Sequence, residues 1–130
     1  MSATAGYALN LTRQAYLATR LSAALTHWTR LRGLIGTNQG AFTTGGGLWI
    51  APCRGVHTFA MSFPIDVLYL DFQDVVIHVE TNLKPWRLAA VKAKARSVLE
   101  LPSGCIATTG TACGDKIKIV LIGASEVAEV

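Results

Sequence analysis

Apolar and polar residues alternate along much of this chain at the two-residue period of strands, in short runs separated by turn residues. The clearest strand signal is a nearly continuous apolar run, Ile65-Asp66-Val67-Leu68-Tyr69-Leu70, with one carboxylate in it. Asp71-Phe72-Gln73-Asp74 follows as a hairpin turn, and Val75 to Glu80 continues as a strand. Its alternation predicts Val75, Ile77 and Val79 on one face and Val76, His78 and Glu80 on the other. Strands are also predicted around Leu9 and Leu11, over Tyr16–Leu21, at Leu48-Trp49-Ile50, over Ser97–Leu101 and over Lys116–Val120. Pro85 blocks an interior strand position, so Trp86 is expected to pack over an open sheet edge.

One segment has a helical period. Thr26 is a suitable N-cap for His27–Leu34, in which Trp28, Leu31 and Leu34 share a stripe. Gly33 weakens that helix by about 1 kcal/mol relative to alanine, and Gly36 stands where a left-handed C-cap would end it. Many short strands and one short helix predict a mostly β fold, a single-domain antiparallel β-sandwich or barrel-like domain. Residues 1–6 are expected to be frayed, 7–125 to form the domain and 126–130 to be a tail.

Half of the 130 residues (51%) are hydrophobic and 15% are charged, which suits a globular domain with a single core and leaves a monomer or homodimer open. Twelve Lys and Arg against eight Asp and Glu give +4. The basic residues read as scattered, with mild clusters at Arg30-Arg32 and Lys92–Arg96, and no aromatic residues interleave for base stacking, so no nucleic-acid partner is expected. No apolar run has the length of a membrane span, so no membrane partner is expected either. Cys53, Cys105 and Cys113 are odd in number and lack CxxC spacing, which points to reduced, mostly buried thiols. With no signal sequence at the N-terminus, a cytoplasmic location is expected.

Four pieces in a fixed order carry a resemblance. They are Arg32-Gly33-Leu34-Ile35-Gly36, the central His57-Thr58-Phe59-Ala60-Met61 with Pro64-Ile65-Asp66-Val67, then Leu99-Glu100-Leu101-Pro102-Ser103-Gly104, and Gly114-Asp115. In these the chain resembles the DUF192 family of small bacterial and archaeal proteins. The resemblance implies a compact β-sandwich or barrel-like domain with a short helix, and no activity. Many family members carry an export signal or lipid anchor, and this sequence shows neither. It has Ile35 where methionine is frequent, and a His-Thr central piece instead of Trp-Met-Lys-Asn.

The segment 52–72 is the densest in chemistry. A strand-like path would put His57, Phe59 and Met61 on one side and Thr58 and Ala60 on the other. A small, anionic ligand would be met by Arg32 and Arg54, with His57, Thr58, Met61 and Asp66 as further candidate contacts. Asp66 must be solvent-facing or paired, with Arg32 the preferred partner, and such a pair can equally be architectural. Gly33, Glu100, Gly104, Gly114 and Asp115 are assigned structural roles, Glu100 as a cap for the turn near Gly104.

Two alternatives stand beside ligand binding. A hydrolase would use Cys53 as nucleophile and His57 as base. A structural or protein-interaction module would show no concave site at His57 and an exposed apolar patch or sheet edge instead. The triple glycine 45–47 lacks the Lys-Ser/Thr of a phosphate loop, no metal-ligand motif exists, and no cofactor is implied.

Overall fold

The structure, a computed structural model, describes residues 5–25 and 42–122. Eight strands and one helix follow in order: β1 (Ala5–Asn10), β2 (Ala15–Ala18), β3 (Arg20–Ala24), β4 (Gly46–Ile50), β5 (Ile65–Leu70), β6 (Val76–Leu83), β7 (Ser97–Pro102), α1 (Cys105–Thr109) and β8 (Ile117–Ile122). A three-stranded sheet, β2-β1-β8, lies against a five-stranded sheet, β3-β4-β7-β5-β6. The fold is a mostly β, sandwich-like domain, and its described residues form no closed barrel. Pairing is antiparallel except between β3 and β4, which run parallel.

β1 begins at Ala5, inside the stretch expected to fray, because Ala5 and Gly6 pair with Ile122 and Leu121. The strand expected over Tyr16–Leu21 is broken at Thr19, where the chain passes from one sheet to the other. The Thr19 and Arg20 amides both donate to the Gly45 carbonyl at 2.8 Å, which fixes the corner. Gly47 is needed opposite this corner, since a Cβ there would lie 2.8 Å from the Ala18 methyl.

All six residues of β5 are buried, because both faces of the large sheet are covered. Leu68 and Leu70, with Leu99, Leu101 and Val76, pack between the sheets against Ala8, Leu17 and Ile117. Val67, Tyr69, Leu48, Ile50 and Val98 face the other way, under Val56, Met61, Phe63, Ala89 and Ala95 of the long connections. Those connections make a third layer.

The alternation predicted for Val75–Glu80 is displaced by a β-bulge between Tyr69 and Leu70. Val76 lies opposite Leu70 and Val79 opposite Leu68, whereas His78 lies opposite Tyr69. Val76 and Val79 therefore share the inter-sheet core, and Ile77 packs on the other side. His78 is a cross-strand partner of Tyr69, ring edge to ring face with centroids 4.9 Å apart, and its Nε2 contacts Glu80 at 2.7 Å.

The helix expected over His27–Leu34, with its Thr26 and Gly36 caps, lies outside the described residues, as do Arg32 and Gly33. The described helix, α1, occupies a stretch read from sequence as a connection. Threonine and cysteine are poor helix formers. What holds the single turn is the burial of Ile106 and a carboxylate that reaches it from β5.

Candidate functional site

That carboxylate is Asp66. Its Oδ1 accepts the Asn82 amide at 2.8 Å, and its Oδ2 accepts the amides of Gly104 at 3.1 Å and Ile106 at 2.9 Å. The side chain is buried, and three backbone N–H groups occupy both oxygens. Gly104 itself stands at φ 98°, a left-handed conformation that a side chain disfavours. Asp66 thus ties β5, β6 and the start of α1 together, the architectural one of the two roles the sequence left open for it, with backbone amides as its partners. The expected partner Arg32 is outside the described residues.

Glu100 does not cap the turn at Gly104, as the sequence suggested. It projects from the opposite face of β7 to Leu99 and Leu101, between Leu48 and Val67 in the register. Among the described residues its buried Oε1 has no hydrogen-bond partner, and burial pushes its carboxyl up to about 8. Asp115 has the reverse setting. Its Oδ2 accepts from Asn10 Nδ2 at 2.9 Å, Arg13 Nε at 2.9 Å and the Ala112 amide at 3.0 Å. Burial opposes the charged form, but the Arg13, Asn10 and Ala112 bonds outweigh it and hold the carboxyl below its usual range. Beside it the Gly114 amide donates to the Val76 carbonyl at 2.8 Å.

The remaining candidates lie on the third layer. Residues 53–58 run antiparallel to 87–96: Cys53 and Thr58 amides donate to the Arg96 and Arg87 carbonyls, and Ala89 and Lys92 amides to those of Val56 and Arg54. His57 and Leu88 sit opposite each other as a β-bridge. This ribbon covers the Val67–Tyr69 face of the large sheet, and the Tyr69 hydroxyl anchors it by donating to the Ala90 carbonyl at 2.6 Å.

Alternation along the ribbon sorts the candidates. Val56 and Thr58 point inward. The Thr58 hydroxyl donates to the Lys84 carbonyl at 2.6 Å and accepts the Arg87 amide at 2.8 Å, so this buried side chain pins the 84–87 turn and is not available to a ligand. A turn at Ala60, φ 62°, sends Met61 into the core, so the sequence reading that placed it beside His57 and Phe59 is corrected. His57 and Phe59 point outward and stack with centroids 5.0 Å apart, and the Phe59 amide donates to His57 Nδ1 at 3.3 Å. Phe59 in turn stacks on Trp86 at 6.2 Å. Trp86 is not packed over a sheet edge; it stands on the outside of the ribbon.

The ribbon's outer side is apolar and basic. Phe59, Trp86, Leu88 and Val91 are 42%, 65%, 75% and 72% exposed; Phe59 stacks between Trp86 and His57, Leu88 lies opposite His57, and Val91 lies beside Gly55 two residues along, so they belong to one apolar surface. The two segments that supply these side chains also carry Arg54, Lys84, Arg87, Lys92, Lys94 and Arg96. Segments 51–64 and 84–97 hold six of the chain's twelve Lys and Arg and none of its eight Asp and Glu. They therefore carry +6, while the rest of the chain, six bases against eight acids, carries −2. None of the six is ion-paired among the described residues. At one end of the ribbon Pro52, Cys53, Arg54, Ala95 and Arg96 line an open groove of about 400 Å³.

His57 and Arg54 thus share the ribbon, whereas Asp66 lies on the other face of the sheet. The Cys53 thiol donates to the Gly55 carbonyl at 3.0 Å, and His57 Nδ1 is engaged by Phe59, so each of the hydrolase candidates has a backbone partner. Cys53 and Cys105 are half-buried and Cys113 is exposed, against the expectation that the thiols are mostly buried. Sequence reasoning missed Phe59, Trp86, Leu88 and Val91 as a surface. The available signal was the absence of any acid from 84–97.

The model of the DUF192 family, described as an "Uncharacterized ACR", matches residues 9–119. The chain belongs to the DUF192 family. Among its relatives is a UPF0127 protein of Pyrococcus horikoshii, 44% identical over 63 residues, 48% of this chain and 54% of that one. A UPF0127 protein of Thermococcus sibiricus is 29% identical over 114 residues, 84% of this chain and 71% of that one. The match spans about half the length of the Pyrococcus relatives. The same fold occurs in a solved protein of unknown function from Novosphingobium aromaticivorans, with a TM-score of 0.77, 18% identity and 88% of this DUF192 chain and 84% of that chain covered. A second, from Sinorhizobium meliloti and described as a candidate transcription regulator, has a TM-score of 0.73, 20% identity and coverage of 89% and 92%.

Proposed function

We propose that this DUF192 domain is a binding module for an anionic partner, which it meets on the ribbon of residues 53–60 and 84–96. The observation that carries this reading is the charge distribution: six cations, none ion-paired among the described residues, on two segments without an acid, in a chain that is otherwise net negative. Arg54 and His57 of the original candidate set belong to this surface. Thr58 and Met61 lie beneath it as scaffold, and Asp66 braces the opposite face of the sheet.

A sulfated polysaccharide resin tests the reading. The Arg87→Glu/Lys94→Glu protein should elute at markedly lower salt than the wild type. Lys116→Glu/Lys118→Glu, which removes the same charge elsewhere, should elute close to the wild type. Equal shifts for both pairs would mean that net charge alone governs retention, and the reading would fall.

A second reading scales the partner down. The groove between Arg54 and Arg96 is large enough for a small anion held by two guanidinium groups. Inorganic phosphate or citrate raising the melting temperature of the wild type, but not of Arg54→Ala/Arg96→Ala, would favour it. The reduced thiols at Cys105 and Cys113 favour a reducing, cytoplasmic setting for the module.

A further inference from the structure

The ribbon carries more than charge, and its apolar side chains narrow the chemistry of the partner. Resting on the anionic-partner reading above, we infer that the ribbon docks on an anionic lipid bilayer surface, with Phe59, Trp86, Leu88 and Val91 entering the headgroup–acyl boundary.

The first argument is shape. Trp86, Leu88 and Val91 are each about two-thirds exposed or more, so they stand out from the surface and do not line a recess. The neighbouring groove is lined by Pro52, Cys53, Arg54, Ala95 and Arg96, and none of the four apolar side chains contributes to it. Protruding apolar groups need a receiver that yields or is already concave. A bilayer boundary yields, and accommodates each group without a matching pocket.

The second argument is residue chemistry. Trp86 is an amphipathic ring of the kind that settles at the water–lipid boundary, with its indole N–H toward the headgroups. Leu88 and Val91 are aliphatic and offer no flat face for a nucleobase. The ring faces between His57, Phe59 and Trp86 are already occupied by one another. Base stacking therefore draws little from this surface.

The third argument is complementarity. Stable adsorption of a peripheral domain takes two signals, apolar insertion and a polybasic patch. Both occur here on one ribbon. Lys84, Arg87, Lys92 and Lys94 flank Trp86, Leu88 and Val91 along the chain, and long basic side chains can lay their stems along lipid while the charge meets a phosphate or carboxylate headgroup. Segments 51–64 and 84–97 contain no acid to oppose an anionic leaflet; the carboxylates that share a groove with Arg96, Asp71 and Asp74, come from the turn between β5 and β6. Adsorption of this kind needs no spanning segment, and no helix among the described residues is long and apolar enough to cross a membrane.

The test is sedimentation of the whole chain with vesicles. The wild type should pellet with phosphatidylserine–phosphatidylcholine vesicles, not with phosphatidylcholine alone, and tryptophan emission should shift to the blue on binding. Trp86→Ala/Leu88→Ala should bind the anionic vesicles at least about tenfold more weakly. Its elution from the sulfated resin, which has no apolar phase, should stay where the wild type elutes. Near-UV circular dichroism of that variant verifies the fold.

Retention on the resin with no vesicle association would overturn the bilayer inference and leave the anionic-partner reading standing. Loss of both would overturn both. Equal binding to neutral vesicles would also overturn it, as would tighter binding to a single-stranded oligonucleotide than to the anionic vesicles at the same ionic strength. That last result would assign the surface to nucleic acid.

Discussion

Asp66 Oδ2 accepts the backbone N–H of Ile106 at 2.9 Å, across forty positions of sequence. The bond explains why a five-residue turn rich in threonine and cysteine is helical at all, and why β5, an interior strand of the large sheet, carries one carboxylate. Replacing Asp66 with asparagine leaves one acceptor oxygen for three amides and sets an NH₂ against N–H donors. The expected loss is about 3 kcal/mol, read from urea unfolding, with early exchange of the Gly104 and Ile106 amides. An unchanged midpoint would show that α1 does not depend on this carboxylate.

Glu100 makes stability fall as pH rises. Its folded carboxyl lies at about 8 because of burial, against an ordinary 4.5. Between those two values the unfolded chain gives up its proton while the folded one keeps it. The contribution is thus fully present below about 4.5 and is lost as pH rises through about 8. Glu100→Gln should remove this component, so the difference in unfolding free energy between variant and wild type should grow in favour of the variant across that window. Parallel curves would contradict a neutral, buried Glu100.

Asp115 has the opposite sign. Its carboxyl is held low by Arg13, Asn10 and the Ala112 amide against the effect of burial. The folded state therefore releases this proton more readily than the unfolded chain. Its stabilisation is present above the ordinary 3.8 and disappears as pH falls through the lower folded value. Asp115→Asn should cost about 2 kcal/mol at neutral pH and markedly less in acid, measured by denaturant titration at both. Arg13 is 44% exposed, so most of that effect belongs to the buried bonds and not to the ion pair.

Thr58 should separate the scaffold of the ribbon from its surface. Thr58→Val keeps the shape and removes the hydroxyl that links the Lys84 carbonyl and Arg87 amide. About 1–2 kcal/mol of stability should be lost, and protection of the Trp86 and Arg87 amides should fall more than that of β5 or β7. Uniform loss across the protein would mean that the ribbon opens only with the whole domain.

The strands were legible in the sequence wherever alternation met turn residues: Ile65–Leu70, Ser97–Leu101 and the final strand all lie close to their expected places. Three things were hidden, each for a physical reason. The bulge beside Tyr69 moves Val76 and Val79 to the same face, and a one-residue insertion leaves no mark on a run of valines. The helix α1 depends on a carboxylate forty residues away. The candidate site was read from chemical density at 52–72, but strand alternation sends Thr58 and Asp66 inward and leaves His57 outside. Its other half, 84–97, looked irregular because a ribbon paired to a distant loop has no period of its own.

The most direct test of the ribbon as binding surface is a backbone amide spectrum of the wild type titrated with a soluble sulfated polysaccharide. Shifts should concentrate in residues 54–60 and 84–96 and leave the Asn82, Gly104 and Ile106 amides that bind Asp66 unmoved. Shifts centred on those three amides, or spread evenly over both sheets, would contradict the account.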